Sequence, residues 1–510
     1  MSLSKSRFMS GLQCPKRLWW EVREPRAPEL AITPEQRYRF DRGHEVGRLA
    51  RTYVPGGVAI ESSPGGRERR LRDTAAAIRS GVPAVYEAAF EHGGVLVVAD
   101  ILARDGAGWS LIEVKSSTDV KPEHLPDLAV QAHVLRGAGI EVRRTSLMHL
   151  NRACRHPDLS NLFTRADLTA GVEERLRAVP GEIAVLQEVL RGPRPDAETG
   201  DRCSTPYECP FWDRCWPPGR PQGIETLYRV DGPALKRFQE RGIETIAELP
   251  EDEPLSDIQL RQREAARRGD LVVAPGLAAA LAAFAPPYAY LDFETVSPPI
   301  PVWPGCRPYD QVPVQMSVHR EEAKGLAHFA WLAEGAGDPR EEAARRLCEF
   351  TAGARTIFAY YAPFERQRIE ELEAALPHLA GDLAAVRERL ADLLPLVRDF
   401  VYHPRFEGRF GLKSVAPVLA PQVDYAGLEV AEGGAATRLL YEHLFGAAAG
   451  DRERVRRDLL DYCRTDTEAI VALHRTLLRL AAPPAPPAPP PPPRATASGQ
   501  LLLPGLLSEP

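Results

Sequence analysis

No stretch of this 510-residue chain is long and apolar enough to span a bilayer; the Ala-rich run "LAAALAAFA" near Ala278 is too short. The opening, "MSLSKSRFMSGLQCPKRLWW", lacks the apolar core and small-residue cleavage site of a secretory leader, so a cytoplasmic protein is expected. Charge of one sign is not in excess either. A formal net charge of -6 argues against a protein that coats nucleic acid indiscriminately, although basic clusters stand in "GGRERRLRD", "EVRRTSLMHLNRACRH" and "LRQREAARRGD". Cysteine is sparse, and thiols stay reduced in the expected compartment, so the eight cysteines read as core residues, metal ligands or cluster ligands rather than disulfides. No internal repeat recurs at solenoid periods.

What is present is an ordinary globular composition, on a chain too long for one hydrophobic core, so two or three domains are expected. The cluster "PPGRPQG" marks a boundary that closes a first domain over residues 1–220. Residues 221–280 turn helical, and "GPALKRFQERGIETIAELP" reads as two short helices joined at a glycine, either a helix-hairpin-helix module or a plain connector. From "YAYLDFETV" to "LHRTLLRL", strand and helix signals alternate as in an α/β domain over 281–482. Residues 483–510 form a tail that opens with "PPAPPAPPPPPR", a polyproline spacer.

In "GVLVVADILAR" followed by "DGAG" and "WSLIEVKSS", two β-branched arms flank a turn. Taking Asp105 to Gly108 as a four-residue loop sets Arg104 opposite Trp109 and Asp100 opposite Glu113. Glu113 and Lys115, two apart, share a face. Opposed carboxylates stand about 5 Å apart and repel unless a cation lies between them. Mg²⁺ or Mn²⁺ meets that demand, with Lys115 stabilising charge in phosphodiester hydrolysis; an ion pair at a strand end is the alternative. Asp100, "EVK" and Gln131 of "LPDLAVQAHVLRGAG" resemble the PD-(D/E)xK core of RecB-like nucleases. The segment "FDRGHEVGRLAR" is similar to the helix that supplies a histidine metal ligand there, which implies His44 as a ligand beside Asp100 and Glu113.

Cys203, Cys209 and Cys215 recur at six-residue steps in "RCSTPYECPFWDRCWP". Zinc sites usually contain a pair two to four residues apart, which this segment lacks; inert buried thiols are the other structural reading. With Cys14 of "SGLQCPKRLWW", the set resembles the iron-sulfur RecB-like nucleases, of the AddB and CRISPR-associated exonuclease type. The resemblance implies a [4Fe-4S] cluster held by Cys14, Cys203, Cys209 and Cys215, although that family has a tighter first interval among the late three; Cys154 is the substitute ligand.

The strand "YAYLDFET" places Asp292 and Glu294 on one face. Downstream, Val455, Leu459, Tyr462, Ile470, Leu473 and Leu477 form a helical stripe that contains Asp466, whose burial needs compensation. "DFET" and "YCRTD" resemble the first and third motifs of the DEDD exonucleases of the DnaQ-like, ribonuclease H-fold class, in their tyrosine-bearing branch. The resemblance implies that Asp292, Glu294 and Asp466 ligate metal and that Tyr462 orients the attacking water. The family's Asn and aromatic-Asp second motif is replaced here by Tyr361 and Glu365 of "IFAYYAPFERQRIEEL". Pro363 suits a first helical turn and puts Glu365 near a helix N-terminus, with Asp399 the fallback. A family of uncharacterised bacterial proteins that join these two halves is similar over nearly the whole chain, including "GRFGLKSVAPVLAP".

The expected fold is therefore α/β: a PD-(D/E)xK restriction-endonuclease-like domain with an iron-sulfur cluster, a helical connector, and a ribonuclease H-like (DnaQ-like) α/β domain. The expected function is metal-dependent hydrolysis of DNA phosphodiester bonds in repair, recombination or defence. The alternatives are a nucleic-acid-binding scaffold with one or both folds inactive, or an RNA-processing exonuclease. In the tail, Gln500, Leu501 and Leu503 of "QLLLP" resemble the peptide by which bacterial proteins hook the sliding clamp, against the reading of an inert end.

Overall fold

The computed structural model describes residues 3–61, 66–216, 219, 221–425, 427–428, 433–446 and 452–482. The polyproline spacer and the clamp-like peptide at Gln500, Leu501 and Leu503 lie outside the described residues. The chain is a mixed α/β structure with several sheets. No helix among the described residues is long and apolar enough to cross a membrane.

The first sheet has seven strands: β1 (Leu3–Ser4), β2 (Gly57–Ala59), β3 (Ala84–His92), β4 (Val95–Asp105), β5 (Gly108–Lys115), β6 (Val142–Leu150) and β7 (Phe163–Asp167). Strands β2 to β7 follow one another across it, and β1 pairs with β4. The β3–β4 and β4–β5 pairs are antiparallel, whereas β5 and β6 run parallel. A parallel pair needs a crossover, which the helix His124–Gly137 supplies. The β4–β5 hairpin has the expected register, with Arg104 opposite Trp109 and its guanidinium 4.0 Å from the indole centroid. Its loop is shorter than expected, because Asp105 still pairs with Gly108 and Gly106 takes the left-handed turn conformation at φ 59. Four helices precede the hairpin: α1 (Lys5–Gln13), α2 (Pro15–Arg23), α3 (Pro34–Thr52) and α4 (Gly66–Arg79).

In the connector, the first expected helix forms over Gly232–Glu240, but the second is a three-residue 3-10 turn, Ile246–Glu248. A Thr245–Glu248 capping box starts that turn, and the proline at 250 soon follows it. Ile224, Leu227, Phe238, Ile243, Ile246 and Leu249 give the segment a small core of its own.

Beyond β8 (Val272–Val273) lies a five-stranded sheet of β9 (Tyr288–Val296), β10 (Val312–Glu322), β11 (Gly325–Leu332), β12 (Thr356–Ala359) and β13 (Leu390–Asp392). The ribbon β8 pairs antiparallel with β14 (Val401–Tyr402). The spatial order is β11-β10-β9-β12-β13; β10 is antiparallel to both neighbours, and β9, β12 and β13 are parallel. Alternation along the central strand β9 divides its side chains between two cores. Ala289, Leu291 and Phe293 enter one, whereas Tyr290 packs with Ile470, Leu473 and Leu477 of the helix Arg452–Ala481. That C-terminal helix thus covers the face of β9 that carries Asp292 and Glu294. The hydrogen bond between Tyr290 Oη and His474 Nδ1, 2.9 Å, fixes the crossing.

The two sheets meet at the end of β5. Tyr309, from the loop after β9, donates its hydroxyl to the Ser116 carbonyl at 2.8 Å, and Arg42 of α3 donates to the Tyr441 hydroxyl at 2.5 Å.

Candidate functional site: two carboxylate centres and a cysteine cavity

The N-terminal centre forms where β4 changes its aim. Pairs Tyr86–Ile101 and Ala88–Ala99 flank Glu87 and Asp100, and Glu87 adopts φ 57, which is rare for a residue with a side chain. Simple alternation breaks there: Ala99 and Leu102 both face the main core. The kink turns Asp100 toward Glu113, and Asp100 Oδ2 accepts from the Val114 N–H at 2.8 Å. Such local irregularities often re-aim a functional side chain.

Glu113 is 2 % exposed and is surrounded by donors. Lys115 Nζ and Lys5 Nζ each donate to Glu113 Oε1 at 2.7 Å, and Gln131 Nε2 donates to Glu113 Oε2 at 2.8 Å. Asp127, one turn before Gln131 on the crossover helix, accepts from Lys115 at 2.7 Å and pairs with Lys5 at 3.1 Å. Burial, then the Glu113 charge, lifts the Asp100 carboxyl to about 7. Burial also disfavours the Glu113 charge, but Lys5 and Lys115 outweigh it and hold that carboxyl below the ordinary range. Asp100, Glu113, Lys115 and Gln131 are thus gathered as the sequence suggested. His44 is exposed on α3 and makes no part of that hydrogen-bonded cluster among the described residues.

The C-terminal centre is a carboxylate group that could hold a metal ion. Oxygens of Asp292, Glu294 and Asp466 lie within 4.8 Å of one another. Asp292 stands opposite Ser317 and Glu294 opposite Gln315, beside an irregularity in the β9–β10 ladder. Burial first, then neighbouring carboxylates, raises Asp292 well above its ordinary range and Glu294 to about 8. Asp466 is raised by burial, against hydrogen bonds from Tyr425 and Tyr462 and the charge of Lys413. Tyr425 donates to Asp466 Oδ1 at 2.8 Å, and Lys413 Nζ donates to the Tyr462 hydroxyl at 3.0 Å. Burial and the Asp466 charge keep the Tyr462 phenol protonated.

Glu365 stands at the third position of the helix Pro363–Ala375, with Pro363 first, as its sequence predicts. It is 3 % exposed, and burial lifts its carboxyl to about 8, with Asp392 and Glu294 adding to the rise. Its Oε2 is buried without a hydrogen-bond partner among the described residues. The Glu365 charge also adds to the rise of Asp292, although Glu365 is not among the three residues whose oxygens lie within 4.8 Å. Asp399 belongs elsewhere, paired with Arg398 at 2.6 Å.

Cys14, Cys203, Cys209 and Cys215 line one small cavity with Trp20, Phe211 and Trp212. Cys14 ends α1; Gln13 donates to the carbonyls of Arg202 at 2.7 Å and Tyr207 at 2.5 Å, joining the early helix to the late segment. A tetrahedral zinc ion holds its thiolates about 3.8 Å apart, given Zn–S bonds of about 2.3 Å. Among the described residues no three of these sulfurs come within 4.8 Å of one another. Cys154 sits apart, buried with Val46, Leu150 and Leu162.

Lys5, Lys413 and Tyr425 are site residues that the sequence reading missed. Glu87 was missed too, and no local pattern announces its left-handed backbone.

Residues 289–411 match the model of a domain of unknown function, DUF2779. The match includes Asp292, Glu294 and Glu365 but stops short of Tyr462 and Asp466. No curated protein matches the chain.

Proposed function

We propose that this chain is a metal-dependent nuclease with two carboxylate centres, acting on nucleic acid, DNA in preference to RNA. The observation that carries the reading is the convergence of Asp292, Glu294 and Asp466, whose carboxylate oxygens lie within 4.8 Å of one another. Carboxylates that close, with their ionisation suppressed by burial and by one another, suit a hard cation. Strand order supports the DnaQ-like assignment of this half, since the third, second, first, fourth and fifth strands lie side by side with the second antiparallel. The hairpin β4–β5, the crossover helix and parallel β6 support the PD-(D/E)xK assignment of the other.

Asp292, Glu294 and Asp466 would hold divalent cations, and Asp100 and Glu113 would hold another. Divalent cations there would supply charge stabilisation for the scissile phosphate and a lowered pKa for the attacking water. Tyr462, protonated and anchored by Lys413, orients that water. Lys115 stabilises the charge that develops on the phosphoryl oxygens. The four cysteines that share one cavity would hold a [4Fe-4S] cluster, which would tie α1 to the 203–215 segment.

Labelled single- and double-stranded DNA and RNA should be incubated with the protein in Mg²⁺ or Mn²⁺, with a chelator control. Chelator-sensitive cleavage of DNA is expected. A protein that leaves every substrate intact in both metals refutes the proposal.

A further inference from the structure

We propose that Lys5 is a second phosphate-facing cation of the N-terminal centre, a role that rests on the nuclease reading above. The placement begins with the two edges of β4. One edge pairs with β3 from Val95 to Ala103, apart from the break at Asp100, whereas the other is divided between two strands. β5 takes Ile101 to Asp105 and β1 takes Val95 and Leu96. Asp100 falls in the interval between them.

Lys5 is delivered into that interval. Ser4, the last residue of β1, also caps α1, its hydroxyl accepting from the Arg7 N–H at 3.3 Å. Lys5 is therefore fixed by a strand behind it and a helix ahead of it. At its far end α1 stops at Cys14, in the cysteine cavity, so the element that carries the lysine is anchored at both ends. The Lys5 side chain is only 23% exposed, unusual for a flexible, strongly hydrated residue.

Charge balance gives the position its chemistry. Lys115 already bridges Glu113 and Asp127 at 2.7 Å each, and Lys5 meets the same two carboxylates, sharing Glu113 Oε1 at 2.7 Å and taking Asp127 Oδ1 at 3.1 Å. With all three acids ionised, as a bound cation would require, Asp100, Glu113 and Asp127 against two ammonium groups leave one negative charge. A divalent cation between Asp100 and Glu113 would convert this to one positive charge, which a phosphodiester monoanion neutralises. Without Lys5 the loaded centre would be neutral before the phosphate arrived.

The test is binding of a fluorescent single-stranded oligonucleotide in Ca²⁺, read by anisotropy at several salt concentrations, with cleavage in Mn²⁺ followed separately. Lys5→Gln should weaken binding about ten-fold and reduce the salt slope by about one released ion. Lys5→Arg should restore most of the affinity, and thermal unfolding should show both variants folded. The proposal is overturned if Lys5→Gln binds with unchanged affinity and slope, or if Lys5→Arg is as damaging as Lys5→Gln, which would mark a packing role. Binding without cleavage by the wild type would sink the hydrolysis reading and leave Lys5 supported by its salt slope. Absence of binding overturns both.

Discussion

Asp292 on the central strand β9 and Asp466 on the C-terminal helix bring carboxylate oxygens within 4.8 Å of each other. Burial and this contact raise Asp292 well above its ordinary range. Glu294 and Glu365 are raised from 4.5 to about 8. Raised carboxyl groups stabilise the fold below the unfolded pKa, and that stability is lost as pH rises through the folded pKa. The metal-free protein should therefore lose thermal stability between about pH 4.5 and pH 8. Mn²⁺ should restore more of it at high pH, where protons no longer compete. Melting curves with and without Mn²⁺ at either end of that window check this; an equal metal effect at both ends contradicts it.

Glu294→Gln removes one buried negative charge and keeps the shape. Metal-free stability above pH 8 should rise by about 1–3 kcal/mol. The Mn²⁺-dependent gain should shrink in the same variant. Denaturant titrations measure both, and a less stable metal-free variant would contradict the repulsion argument.

Tyr462→Phe keeps the ring against Ala436 and removes the hydroxyl that Lys413 holds. The cleavage rate of the C-terminal centre should fall about 10²-fold with little change in substrate affinity. Single-turnover rates in a Lys115→Ala background isolate that centre.

Replacing Cys209 by Ser should remove iron and visible absorption from anaerobically purified protein and lower its melting temperature. The cavity that Cys209 shares with Cys14 joins two segments remote in sequence, so its loss loosens both. Stoichiometric zinc in a colourless wild type would contradict the cluster assignment.

Much of each centre was legible because its signals are local. Two acids spaced by two on a strand reveal their shared face, and Asp466 stands out inside the apolar stripe of a helix. Pro363 announced the helix start that presents Glu365. The remainder depends on distant chain segments. Lys5 reaches Glu113 through a two-residue parallel strand, too short to leave a periodic signal. Lys413 and Tyr425 arrive from segments whose direction depends on how they pack against the C-terminal helix. Asp100 points inward through a kink set by its neighbour strand at Glu87, a residue type that does not favour the left-handed conformation. His44 illustrates another limit of local signals, because a segment match carries no information about side-chain exposure, and His44 is exposed.

The most direct measurement is Mn²⁺-dependent cleavage of end-labelled single-stranded DNA by the wild type, Lys115→Ala, Asp292→Ala and the double variant. Each single substitution should remove part of the activity, by about 10²-fold or more at its own centre, and the double variant should be inactive. Undiminished cleavage by the double variant would contradict the assignment of hydrolysis to these two centres.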